Sequence, residues 1–348
     1  MTMRVLCLVD GPVVPPDRWM WNHLPQSAQA DEVEFLWASP ADRFPKWGKL
    51  ISYYPQYLML GIRAIQACRR KRFDVITAWE SKTGFLLGSL RSVLGVHTPP
   101  LVIFAFSFKG IAASVPAVSR LAMRGIDHIT VLSPEEVNYY SQILHFSTHK
   151  ITVCQFGWHD LCKGISPVIS DDFIFSYGRS YRDYGTLFDA IDGLRIKVVV
   201  NTRRFALKNL KIPSNVIINE MMPEREYAQL LVSARFLVLP LLDTRHAAGE
   251  SAIVQAMAAG KAIIATRTHS TPYYIEDGVT GILTPPNDAV AMRDACIYLL
   301  NNPDVCVAMG IKSRQRYEAL YTSEHAAQCQ YSVMQRVMYQ TQMTASVN

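Results

Sequence analysis

The sequence predicts an α/β protein made of two Rossmann-like, doubly wound parallel sheets, each with helices on both faces. Three observations carry this prediction. The 348 residues are enough for two domains of ordinary size. Short β-branched runs alternate with longer amphipathic runs through both halves, the pattern of strand–helix–strand units in a parallel sheet. Apolar residues make up 49% of the chain and charged residues 18%, so each half has material for a core.

Strands in the first half are predicted over 4–9, 34–38, 74–78, 101–106, 128–132 and 150–155 from their β-branched, apolar composition. Helices are predicted over 50–71, 81–94, 115–124 and 134–144. The last of these has Ser133 to cap it and Pro134, Glu135 and Glu136 in its first turn. The second half repeats the pattern, with strands over 173–177, 197–200, 215–219, 236–239, 262–266 and 281–283. Its helices are predicted over 185–192, 224–233, 250–259, 289–300 and 305–320. The segment 159–172 is rich in Gly, Ser, Pro and Asp and reads as the interdomain linker. Expected domains are therefore 1–160 and 161–322, followed by a tail, 323–348, whose helix over 323–339 is free to pack back on the first domain. Ligands of doubly wound sheets bind outside the C-terminal strand ends, so the site is expected in a cleft between the two domains.

The formal net charge is +6 and the pI about 8.9. This excess suits an anionic ligand and is too small to imply nucleic acid, so no nucleic-acid partner is expected. Seven scattered cysteines without a Cys-x-x-Cys pair read as reduced core residues, without zinc, in a cytoplasmic protein. The first apolar run, 5–9, is too short for a signal peptide, and no run of 18 apolar residues exists to cross a membrane. Residues 46–72 mix Trp47, Ile51, Tyr57 and Leu60 with Lys46, Lys49, Arg63, Arg69, Arg70, Lys71 and Arg72, uninterrupted by any acid. Such a stretch can lie on an anionic membrane surface, gaining about 1 kcal/mol per basic residue. It can equally be a core-packing helix with a solvated basic end. The first alternative implies peripheral attachment to the inner face of a membrane.

Chemistry concentrates in the second half. The run Tyr177-Gly178-Arg179-Ser180-Tyr181-Arg182-Asp183-Tyr184 directly follows a predicted strand and precedes a helix. Guanidiniums keep their charge and offer a planar fork to phosphate oxygens, although a solvated turn would also carry surface arginines. The second constellation is the turn 245–251. Ala247, Ala248 and Gly249 have no bulk to obstruct a ligand, and the amides of Glu250 and Ser251 open a helix whose N-terminus carries roughly half a positive charge. Glu250 can bond sugar hydroxyls or complement its own helix dipole, and Gln255 can bond ribose hydroxyls or a neighbouring loop.

The segments 178–187, 239–265 and 275–288 together, with QAMAAGKAIIAT and EDGVTGILTPPND, resemble the C-terminal domain of the GT-B glycosyltransferases, specifically the large group 1 family. The clear resemblance covers about 173–321. It implies two Rossmann-like domains and a nucleotide-sugar donor held mostly by the second. Two basic residues after that domain's first strand are implied to neutralise the leaving diphosphate. Arg179 matches the first, and Arg182 stands in for a lysine usually found slightly further along. Two family glutamates fall here on Ala247 and Gln255. Gln255 can still bond ribose, and Glu250 is the nearest substitute for the sugar-binding glutamate.

These readings converge on metal-independent transfer of a sugar from a nucleotide diphosphate to a polysaccharide or lipid-linked glycan, with no cofactor. No Asp-x-Asp occurs in the chain. Arg179, Arg182 and the 249–251 amides are expected to stabilise the diphosphate, with Gly178 giving close approach. Glu80, Asp10 and Lys109 follow first-domain strands, and Glu80 is the candidate general base, although the donor phosphate can also take the acceptor's proton. Two other functions remain open: a non-catalytic sugar-nucleotide binder or scaffold, and a nucleotide-sugar epimerase.

Overall fold

The computed structural model describes residues 2–9, 20–24, 28, 31–37, 54–79, 81–107, 116–168, 172–220, 222–244 and 246–347. The chain forms two units, Met1–Gln155 with Ser323–Asn348, and Phe156–Thr322.

The first unit contains β1 (Arg4–Val9), β2 (Glu32–Trp37), α1 (Tyr54–Arg70), β3 (Val75–Ala78), α2 (Ser81–Leu94), β4 (Leu101–Ile103), α3 (Pro116–Arg124), β5 (His128–Val131), α4 (Pro134–Leu144) and β6 (Ile151–Val153). Its six strands are parallel in the order β2-β1-β3-β4-β5-β6. Strand residues alternate between faces. Leu6 and Leu8 join Ile76, Ile103 and Ile129 in one core, while Val5, Val75 and Val102 join another on the opposite face. The start of α4 is held by Glu136, whose carboxylate accepts the backbone N–H groups of Leu132 and Ser133.

The second unit contains β7 (Phe173–Tyr177), α5 (Tyr184–Ile191), β8 (Lys197–Asn201), β9 (Val216–Asn219), α6 (Glu224–Ser233), β10 (Leu237–Leu239), α7 (Glu250–Ala258), β11 (Ile263–Thr266), the four-residue α8 (Thr271–Tyr274), β12 (Gly281–Thr284), α9 (Ala289–Asn301) and α10 (Pro303–Leu320). Its parallel order is β12-β11-β10-β7-β8-β9. The strand order reverses beside β7, the place where doubly wound sheets hold ligands. Phe173 and Phe175 face one core and Ile174 the other, so each face is covered by helices. Asp183 caps α5 through Thr186, and Asp288 caps α9 through Ala291.

Two features differ from the sequence reading, the linker and the cysteines, while the tail helix packs back on the first domain as that reading allowed. The segment read as a linker is packed over its first part, because Cys162 lies in the second unit's core and Leu161 and Ile165 lie against it. The last helix, α11 (Ser323–Val347), belongs to the first unit. Ala327, Tyr331, Val333, Met334, Val337 and Met338 cover the sheet face that bears Met3, Val5, Val75 and Val102. Not all cysteines are reduced: Cys154, after β6, and Cys329, in α11, are joined across 175 residues, because the chain end returns to the first sheet.

In α1, the apolar residues Tyr57, Leu60, Ala64 and Ile65 are buried within the first unit, so this helix spends its apolar face on the core. Arg69, Arg70 and Arg72 are exposed at its end. Lys71 pairs with Glu32 and Glu34. Residues 46–53 of the basic stretch lie outside the described residues. No helix among the described residues is long and apolar enough to cross a membrane.

Candidate active site

The site is built at the C-terminal ends of β7 and β8. Tyr177, Gly178 and Arg179 leave β7, Asn201, Thr202 and Arg203 leave β8, and Met222 and Pro223 precede α6. Together these eight residues line a cavity of about 490 Å³. Arg179 and Arg203 are both exposed. Gly178 sits at φ +130°, a backbone region that side chains disfavour, and a Cβ there would run into the Arg182 guanidinium. Its carbonyl accepts the hydroxyls of Tyr184 at 2.7 Å and Thr202 at 2.8 Å, which fixes the turn against β8.

Arg182 is placed differently from Arg179. Its Nε donates to the Tyr177 carbonyl at 3.0 Å and its Nη1 to the Ser180 carbonyl at 2.9 Å. Burial lowers its proton affinity below that of an ordinary arginine, opposed by Tyr184, Tyr177 and Glu250. Its backbone bridges Leu241, and the Asp183 N–H donates to the Pro240 carbonyl. Arg182 therefore knits the loop after β7 to the loop after β10 and is not among the residues lining the cavity.

The turn before α7 lies beside this loop. Gly249 takes φ +96° at the helix N-cap, where a Cβ would meet Leu241 at 3.0 Å. Ser251 is exposed and Ala248 buried. Glu250 is only 6% exposed, and its Oε1 accepts the Ser270 hydroxyl at 2.8 Å. That places its carboxylate in a buried polar contact between α7 and the segment before α8. The Gln255 Oε1 accepts two hydroxyls, from Tyr177 at 3.0 Å and from Tyr227 at 2.6 Å. Burial raises the proton affinity of both phenols, which keeps them as donors. Tyr177 thus touches the cavity with its body and α7 with its hydroxyl, tying the two predicted constellations together.

The structure brings Gly178, Arg179, Gly249, Glu250, Ser251 and Gln255 into one neighbourhood at the β7 end. Glu80, the candidate base, lies outside the described residues, as do Asp10 and Lys109. Sequence reasoning missed Asn201, Thr202 and Arg203. Their one signal was position: they directly follow the second strand of a doubly wound unit, where ligands bind.

Residues 191–302 match the family described as Glycosyl transferases group 1. The O-antigen chain mannosyltransferase C of Escherichia coli is 28% identical over 221 residues, covering 58% of this chain and 59% of the relative's length. The match thus spans less than two thirds of that relative. Among solved structures, sucrose-phosphate synthase from Thermosynechococcus elongatus superposes with a TM-score of 0.73 at 16% identity, covering 99% of this chain and 100% of the other. HepE from Anabaena, in complex with UDP-glucose, superposes with a TM-score of 0.67 at 13% identity, covering 98% of this chain and 100% of the other. At these identities the structures establish the fold. Residues 191–302 of the second unit are thus similar to the group 1 glycosyl transferases, and the chain has the two-unit parallel α/β fold of the GT-B glycosyltransferases.

Proposed function

We propose that the protein is a glycosyltransferase that takes a sugar from a nucleoside diphosphate and delivers it to a polysaccharide or lipid-linked glycan. The observation that carries this reading is the β7–β8 cavity, lined by two arginines at the C-terminal strand ends of a unit with group 1 sequence. Cleavage of the sugar–phosphate bond puts negative charge on the diphosphate. Arg179 and Arg203 neutralise it, and the amides at the start of α7 add donors that need no reorganisation during the reaction. Arg182 is a positioning residue, holding the loop that carries Arg179. These groups do the work that a divalent metal does elsewhere, so transfer is expected to persist in EDTA.

The similarity to an O-antigen mannosyltransferase makes a mannosyl donor the first to test, with an O-antigen-type glycan as acceptor. HepE was solved with UDP-glucose, so a uridine donor belongs in the same panel. The exposed basic end of α1 supports contact with an anionic membrane surface through charge rather than through its apolar face.

The test is transfer and donor binding across GDP-, UDP- and ADP-sugars, with Arg179→Ala and Arg203→Ala. Each substitution is expected to lower kcat/KM about 100-fold, the scale for one lost transition-state donor. Wild-type rates in both variants would overturn the site. Donor binding without turnover over the acceptor panel would favour the non-catalytic reading, and sugar inversion without acceptor would favour an epimerase.

A further inference from the structure

A second basic cavity lies in the first unit, at the edge of the sheet opposite its C-terminal strand ends. It forms where α3 ends ahead of β5 and where α4 ends ahead of β6. Arg120, Arg124 and Lys150 supply its charged wall beside the His145 imidazole, and Met123, Leu144 and Phe146 are the apolar lining of a space of about 480 Å³. The three apolar residues are anchored in the unit's core. The basic residues come from three separate pieces of chain: α3, the residue closing α4, and the short turn before β6.

The charge here is not balanced. Among the described residues, Arg120, Arg124 and Lys150 form no ion pair with a carboxylate, and the nearby Asp127 is taken by Arg91. Arg120 and Arg124 stand one helical turn apart, a spacing at which like charges repel. Cations at a helix C-terminus complement its dipole, which accounts for Arg124 at the end of α3, while His145 is the left-handed residue closing α4. It does not account for Lys150, which lies on a different element with its Nζ 5.8 Å from the Phe146 ring centroid. The field extends inward. His128, buried at the start of β5, has its pKa pushed down to about 4, first by burial and then by Arg336, His149 and Lys150.

We infer that this cavity is an anion site that takes a phosphate group, with the Arg120, Arg124 and Lys150 side chains on its oxygens and the apolar lining against the group that carries it. Arginine forks match phosphate geometry, and the lysine adds a point charge. The phosphate can belong to a soluble phosphorylated ligand or to a lipid headgroup, and the experiment separates the two. This inference is independent of the donor site and needs no transferase activity.

The probes are inorganic phosphate, measured by calorimetric titration, and vesicles of phosphatidylcholine with or without phosphatidic acid, measured by co-sedimentation. The full chain carries Arg179→Ala and Arg203→Ala so that the other basic cavity does not contribute. Saturable binding is expected for at least one probe, weakened tenfold or more by Arg124→Gln with Lys150→Gln. The single Arg120→Gln, at an exposed position, is expected to weaken it measurably and serves if the double variant does not fold. The charge-retaining Lys150→Arg is expected to keep binding. Saturation by free phosphate identifies a soluble ligand, and binding only to phosphatidic-acid vesicles identifies a headgroup. Absence of binding to both probes, or equal binding by the folded glutamine variants, overturns the site.

Discussion

Gly178 shows how much one residue decides at this site. Its φ of +130° and the guanidinium packed against its α-carbon leave no room for a side chain. Gly178→Ala is expected to displace Arg182 from the Tyr177 and Ser180 carbonyls and cost about 1–3 kcal/mol, measured by urea unfolding. Donor binding should fall in the same variant, because Arg179 rides on that loop. His128 carries a different prediction. It is buried, its Nε2 lies 2.8 Å from the Thr152 hydroxyl, and its surroundings include Arg336, His149 and Lys150 and the opposing Asp127. Its folded pKa of about 4 lies below the 6.5 of the free side chain. The fold therefore favours neutral imidazole, and that stability is complete above about pH 6.5 and lost as pH falls toward 4. The contribution is on the order of 3 kcal/mol. Unfolding free energies measured between pH 4 and 8 should fall over this window, and His128→Gln should flatten the fall.

At the scale of elements, strands and helices were largely legible. β1, β7, α2, α4 and α6 coincide with their predicted spans, because alternation and capping are local signals. The strands predicted over 101–106 and 150–155 are shorter in the structure, at Leu101–Ile103 and Ile151–Val153. Composition marks an apolar run, but a strand ends where its neighbour stops pairing. α8 was missed because four residues carry no periodicity. α11 runs past its predicted end at 339, to Val347. Its role is energetic, since Met334 is fully buried against the first sheet. Met334→Ala should cost about 2–4 kcal/mol by burial loss and cavity formation, visible as a lower chemical-denaturation midpoint.

At the scale of the molecule, two units with separate cores share one chain, and the first unit is finished only when α11 arrives. Ligand binding should therefore act selectively. A nucleotide sugar at 100 times its Kd is expected to add about 2.7 kcal/mol to the second unit by mass action. Differential scanning calorimetry should show that unit's transition rise with donor concentration while the other stays. Equal shifts in both transitions, or none, would argue against a donor site confined to the second unit.

Fold class, element order and the neighbourhood of Gly178, Arg179, Gly249 and Gln255 are legible from the residues alone. Those follow from signals a few residues apart: hydrophobic period, turn residues and the order of motifs along the chain. The folded chain is what sets Arg203 in the cavity with Arg179 and turns Arg182 into backbone carbonyls. It alone joined Cys154 to Cys329, buried Glu250 against Ser270 and set Arg120 beside Lys150. A side chain's direction and partner depend on which distant strand or helix packs beside it, and local periodicity carries no record of that pairing.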